Sequence, residues 1–299
     1  MSTLNNNLAA RSYQLQFKQM LQAVFRKRSY FGDFFNGGID VLDGVRENEN
    51  AFYVKTSDIP VVIGSEYLTQ AYVAFDGGTA NSTRFGDRKE IIYTNTPVPY
   101  TWGWNIHEGI DRHTVNNDFD VAIADRLELQ AQAKTQLFNK QHSEFIAKTA
   151  ARTMQLATYD ADDVLTLFNW LAAHYVNIEG NGTKVAKVNT SLYNAIVDHP
   201  LVTTAKQSGV NIDSNNILKF KDFQIQPVPD SIFYSIGSAP PCAYTYITNV
   251  GKAFTGINTA RVFESEDFDG VALQGAGKAG EFILDDNKKA VVKVEYAGA

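Results

Sequence analysis

DFDVAIADRLELQAQAKTQLFNKQHSEFIAKTAARTMQ, residues 118–155, runs for 38 positions without a proline or a glycine. Asn117 or Asp118 can cap its start. Ile123, Leu127, Ala131, Phe138, Phe145 and Thr149 recur at steps that are sums of three and four, so they trace one helical face. The pattern predicts one helix reaching about Gln155, roughly 55–60 Å long at 1.5 Å per residue. A lone helix of that length between β-rich stretches reads as a strut in an α+β fold.

Upstream, Glu66 to Phe75 and Glu90 to Thr94 are β-rich and flank the glycine-containing tip Asp76-Gly77-Gly78-Thr79-Ala80-Asn81-Ser82. They predict a long hairpin, which cannot stabilise itself in water and must lie on another surface. Arg84, Arg88 and Lys89 near its tip oppose the acidic bulk of the chain and are candidates for ion pairs with an adjacent copy. Between Asn36 and Pro60, Asn36-Gly37-Gly38 and Asp43-Gly44 predict short irregular pieces. Residues 1–30 carry five basic residues and no acidic one. Tyr13, Phe17, Met20/Leu21 and Val24 add an amphipathic stripe, so this arm suits docking on a partner surface through Phe17, Leu21, Arg26, Lys27 and Arg28.

Downstream, residues 160–262 predict a compact α/β unit. Asp160 or Asp162 caps a helix with Val164, Leu167/Phe168, Leu171 and Tyr175 on one face. Lys184 to Val188 forms a strand, and Asn189 or Thr190 caps a helix stopped before Pro200. Further strands are expected at Ile217 to Ile225, Ala243 to Ile247 and Ala290 to Tyr296.

With 27 basic and 33 acidic residues in 299, the net charge is −6. Nucleic-acid affinity comes mostly from Lys and Arg displacing counterions, so this balance argues against a dedicated DNA-binding protein. The single cysteine, Cys242, reads as a small buried side chain. No run approaches the roughly 18 apolar residues of a membrane helix. The N-terminus lacks the apolar core of a secretory signal, and the sequons at Asn81, Asn181 and Asn189 are read as chance matches.

Candidate chemistry is sparse. Gly275-Ala276-Gly277-Lys278-Ala279 fails as a phosphate loop, because position 272 is Ala and Ala279 has no hydroxyl for magnesium. It reads instead as a glycine loop at a subunit contact. His107-Glu108-Gly109-Ile110-Asp111-Arg112-His113 lacks the spacing of a zinc helix. It reads as a polar junction in which Glu108, Asp111 and Arg112 pair locally or across subunits. No Gly-x-Ser-x-Gly elbow is present, and no catalytic, cofactor-binding or metal-ligating residue is assigned; the chain is not expected to be an enzyme.

Several segments carry a specific resemblance. These are Ile59-Pro60-Val61-Val62-Ile63-Gly64, Ile106-His107-Glu108-Gly109-Ile110-Asp111-Arg112, Thr114-Val115-Asn116-Asn117-Asp118 and Ala124-Asp125-Arg126-Leu127. Ser191 to Asp198, Phe254-Thr255-Gly256-Ile257, Asp267-Phe268-Asp269-Gly270 and Asp285 to Ala290 continue it. Together they resemble the major capsid proteins of tailed bacteriophages, the Hong Kong 97-type fold, and most of all those of siphophages of lactic-acid bacteria.

The resemblance implies an N-terminal arm (1–57), an extended loop (58–103), a peripheral domain with a spine helix (104–159) and an axial domain (160–262). Residues 263–299 would return to the peripheral domain. It implies self-assembly as hexamers and pentamers into an icosahedral virion shell, built in the host bacterial cytoplasm. Expected partners are a separate scaffolding protein, a portal, decoration proteins and packaged DNA touched weakly on the inner face, with no membrane and no cofactor. Family members that cross-link do so through a lysine, an asparagine and a glutamate that do not align here, so Lys89 is read as an ordinary loop lysine. An encapsulin-like nanocompartment shares the fold and is the alternative; a small-molecule enzyme is the more distant one.

Overall fold

A computed structural model describes residues 28–41, 50–57, 59–61, 63–65, 67, 85, 90–115, 119–203, 210–211, 216–217, 219–234 and 239–298. The chain divides into two compact units, one of residues 1–43 with 101–299 and one of residues 44–100. In chain order, β1 (Phe35–Val41) precedes β2 (Asn50–Thr56) and β3 (Thr94–Pro99) of the smaller unit. The larger unit continues with β4 (Trp102–Asp111), α1 (Phe119–Thr149), β5 (Arg152–Leu156), α2 (Ala161–Asn177), β6 (Lys184–Val188), α3 (Thr190–Val197) and the one-turn α4 (Pro200–Thr203). Short strands β7 (Val210–Asn211), β8 (Asn216–Ile217) and β9 (Lys219–Phe220) lead to β10 (Phe223–Pro227) and β11 (Pro241–Ile247). Two long strands, β12 (Gly251–Glu264) and β13 (Gly270–Ile283), precede β14 (Val291–Tyr296).

A six-stranded sheet, ordered β5-β14-β11-β6-β10-β9, is covered on both faces. Alternation along β6 sends Ala186 and Val188 to the face packed by α2 and α3, through Val164, Leu167, Phe168, Leu171, Leu192 and Ile196. The other face carries Val185, Tyr244, Tyr246 and Val291, packed by Phe31, Phe34 and Phe35 and by Ile146 and Ala147 of α1. Burial on both faces explains why β11 has no exposed residue and why Cys242 is buried. Burial pushes the Cys242 thiol up to about 12, which leaves it protonated and unreactive. The expected face of α2 matches the structure, and Asn189, one of the two expected caps, caps α3 by accepting from Leu192 N at 2.9 Å.

A second sheet is ordered β1-β12-β13-β4. The predicted glycine loop lies inside it, as the centre of β13. A Cβ at Gly277 would come within 2.6 Å of the Trp104 indole, and one at Gly275 within 3.2 Å. The glycines therefore make room for a cross-strand tryptophan, which Lys134 Nζ covers at 4.1 Å from the ring centroid.

Several expectations need correction. The long helix ends at Thr149, and its 31 residues give about 46 Å. Arg152–Leu156 instead pairs in parallel with β14, so a long-range partner overrides helix-compatible sequence. Of the expected apolar face only Phe138 is buried, at 8% exposed, whereas Leu127 is 38% exposed; the other buried side chains of α1 are Asn139, His142, Ser143, Ile146 and Ala147. The irregular stretch before Pro60 contains β1, which pairs in parallel with β12, and β2. β2 pairs antiparallel with β3; residues 90–93 of the expected hairpin form no strand, and its other arm, 66–75, lies outside the described residues except for Tyr67. The strand expected over 217–225 breaks at Lys221 and Asp222, whose φ of 48° and 71° make a tight reversal between β9 and β10. Beyond these corrections, β13 pairs with β4, and β14 pairs with β11 and β5.

Candidate functional site

Alternation along β4 turns Trp102, Trp104, Ile106, Glu108 and Ile110 to a half-buried face and leaves Gly103, Asn105, His107 and Gly109 exposed. Glu108 accepts from Arg126 Nε at 2.7 Å, from a second Arg126 nitrogen, and from Gln130 Nε2 at 2.6 Å. Those donors sit four residues apart on α1, one turn, so both reach one carboxylate. The Arg126 hydrogen bond holds the Glu108 carboxyl below the usual carboxylate range, against the opposing effect of partial burial. A depressed carboxylate stabilises above its unfolded pKa of about 4.3 and loses that contribution as pH falls through its lower folded value. Glu108→Gln should therefore destabilise at pH 7 by about 1 kcal/mol or less, and by less at pH 3. Paired urea melts at the two pH values test this; equal losses at both would contradict it.

Asp111 Oδ1 accepts from His113 N at 2.8 Å and caps a short 3-10 turn. Arg112 reaches Glu264 at 2.9 Å and Asp269 at 3.6 Å, in the acidic turn between β12 and β13. Glu108, Asp111 and Arg112, grouped by sequence, thus take separate partners within the chain. Among the described residues no group of three or more His, Cys, Asp or Glu side chains could hold a metal. Arg28 is exposed, and its carbonyl accepts from Asn139 Nδ2 at 2.7 Å. Phe17, Leu21, Arg26, Lys27, Arg84, Arg88 and Lys89 lie outside the described residues.

Two buried polar clusters were not foreseen. Lys187 Nζ lies 2.9 Å from Asp33 Oδ2 and donates to Gln226, while Tyr246 OH donates to Asp33 Oδ1 at 2.8 Å. Burial lowers the Lys187 ammonium pKa, with Asp33 acting against that shift. His142 Nδ1 lies 3.0 Å from Glu281 Oε1, and Glu281 also accepts from Trp102 Nε1 at 3.1 Å and from Thr101 Oγ1 at 3.3 Å. Asn139 completes the seam by accepting from Tyr30 N at 3.0 Å while donating to Arg28 O, so one amide grips the backbone of the incoming segment twice. The legible signals were a lysine inside the strand Lys184 to Val188 and an aspartate among Tyr30, Phe31, Phe34 and Phe35. Nothing in the sequence pairs positions 33 and 187.

The smaller unit has a different character. Of the eighteen large apolar side chains exposed among the described residues, nine fall between positions 53 and 93. Val61, Ile63 and Phe85 are each more than 80% exposed. Exposed apolar side chains mark an interaction surface where they form one contiguous patch.

No protein-family model and no curated protein matches the sequence. Solved structures do. The chain is similar to a protein of Mycobacterium phage Che8, at 15% identity and a TM-score of 0.64, over 90% of this chain and 92% of that one. It is similar to a chain of the bacteriophage PhiM1 mature capsid, at 10% identity and 0.66, over 92% and 89%. The chain has the Hong Kong 97-type fold. The Hong Kong 97-type likeness extends to a virus-like particle from Pyrococcus furiosus, at 14% identity and 0.50, over 98% and 100%. Identities this low carry the fold alone.

Proposed function

We propose that this chain is the major capsid protein of a tailed phage, self-assembling into the icosahedral shell that encloses a double-stranded DNA genome. One observation supports it beyond the fold: half of the large apolar side chains exposed among the described residues fall within residues 53–93. Copies repeated around closed symmetric interfaces would cover that surface. On this reading the arm is 1–57, the extended loop 58–103, the peripheral domain 104–159 with 263–299, and the axial domain 160–262. Copies assemble as hexamers and pentamers in the bacterial cytoplasm with a scaffolding protein and a portal, and the role is structural rather than enzymatic. The segment resemblance favours a siphophage of lactic-acid bacteria.

Light scattering and negative-stain microscopy of the chain co-expressed with its phage neighbours should give uniform shells. Monomers or small oligomers at every salt concentration would refute the reading. Arg84→Glu with Arg88→Glu should leave the melting temperature unchanged and abolish those shells. Each exposed pair contributes only about 0.2–1 kcal/mol, but the lattice repeats it in every copy. Normal shells from this double variant would remove the loop arginines from the interface. The likeness to a virus-like particle, at a TM-score of 0.50, supports a nanocompartment as the second reading. Protein cargo without DNA in purified particles would favour it.

A further inference from the structure

β4 is an edge strand of the four-stranded sheet. Arg112 N donates to Asp269 O at 2.8 Å, and Ser265 N donates to Gly270 O at 2.9 Å. In an antiparallel ladder each residue turns both backbone groups to one side, and the next residue turns both to the other. The even-numbered residues of β4 therefore face β13. Gly103, Asn105, His107 and Gly109 turn their N–H and C=O groups outward. Natural edges are blunted by proline, lysine or a short strand. This one is ten residues long, contains no proline and no lysine, and bears two glycines among its outward positions. Among the described residues no strand pairs with it.

The smaller unit carries a strand-like segment without a sheet. Ile59, Val61 and Ile63 alternate with period two, the pattern of a half-buried strand. Yet the described residues from 59 to 64 belong to no strand, and Val61 and Ile63 are 87% and 90% exposed. Pro60 fixes which side of such a strand can pair. It has no N–H, so it must face away from the ladder, and Ile59, Val61 and Ile63 must face into it.

We propose that the Ile59–Ile63 segment of one copy adds antiparallel to the outer edge of β4 in a second copy, as a fifth strand opposite the odd-numbered residues Gly103 to Gly109. The inference rests on the shell-forming reading and names the partner of this part of the loop. Five residues at about 3.4 Å each span roughly 17 Å, well within the edge. Residues directly opposite share a face, so Ile59, Val61 and Ile63 lie over the exposed face of the sheet, where the Phe268 ring already sits against Gly109. Pro60 would then end the sheet by denying its outer side a donor, which keeps strand addition from continuing.

Hydrogen exchange on the unaltered chain gives the first test. The Asn105 and His107 amides should exchange at least about 100-fold more slowly in shells than in the free chain. Shells in which they exchange as in the free chain would overturn the proposal. Cysteine pairs identify the occupant, since Cys242 is buried and silent. Val61→Cys with Asn105→Cys, or with His107→Cys, should give a ladder of linked copies on mild oxidation, and Val61→Cys with Ile106→Cys should not. Slowed amides without a ladder from either pair would mean that another segment covers the edge, and would also overturn the proposal. A chain that forms no shells at all refutes the shell reading and takes this pairing with it.

Discussion

Asp33→Ala should cost the larger unit about 3–5 kcal/mol, the usual consequence of removing one partner from a buried ion pair. The Lys187 side chain is 2% exposed, so its ammonium would keep the desolvation cost and lose its counter-charge. The reverse change should be milder. Asp33 is 27% exposed, so after Lys187→Met its carboxylate can hydrate and still accept from Tyr246. Asp33→Leu with Lys187→Met should recover most of the loss, because apolar replacements of similar volume are often neutral. Urea denaturation of the three variants checks the order. Equal losses from the two single changes, with none recovered by the double, would show that the pair is not the unit at work.

Phe138→Ala should cost about 3–5 kcal/mol and Leu127→Ala about 1 kcal/mol or less, although both lie on one helical face in the sequence. Phe138 meets the Trp102 ring edge-on at a centroid distance of 4.8 Å and stands 5.7 Å from the His142 ring. Its removal leaves a cavity that this frame cannot easily close. Leu127 already meets solvent, so its loss forfeits little burial in the free chain. Melting temperatures of unassembled protein decide the matter. A Leu127→Ala variant as damaged as Phe138→Ala would place the first half of α1 against a surface in the free chain.

Local pattern was legible where one residue's neighbours determine its state. The face of α2, the cap of α3 and the strand Lys184–Val188 were readable because apolar spacing and capping residues act within a turn or two. What escaped was decided at long range. Asn36-Gly37-Gly38 carries turn chemistry and sits at a register shift inside β1, whose flanking Phe35 and Ile39 pair with β12 more than 200 positions away. Arg152–Leu156 suits a helix as well as a strand until β14 pairs with it. The glycines of β13 looked like a loop because the side chain that needs them, Trp104, lies on another strand. For the site, the 107–113 cluster was visible as polar residues, but its partners Arg126, Glu264 and Asp269 were not.

β14 is the last strand in chain order, yet it sits between β5 and β11 in the six-stranded sheet. During synthesis β5 is made about 140 residues before the strand it pairs with in parallel. Until Val291–Tyr296 arrives, β11 has one bare flank and β5 has no neighbour at all. Closure of that sheet is therefore a late, high-contact-order event. On the proposed shell-forming reading, a growing chain cannot present a finished surface to its siblings until its own fold has closed. On that reading the topology works as a timer, which sets folding before assembly.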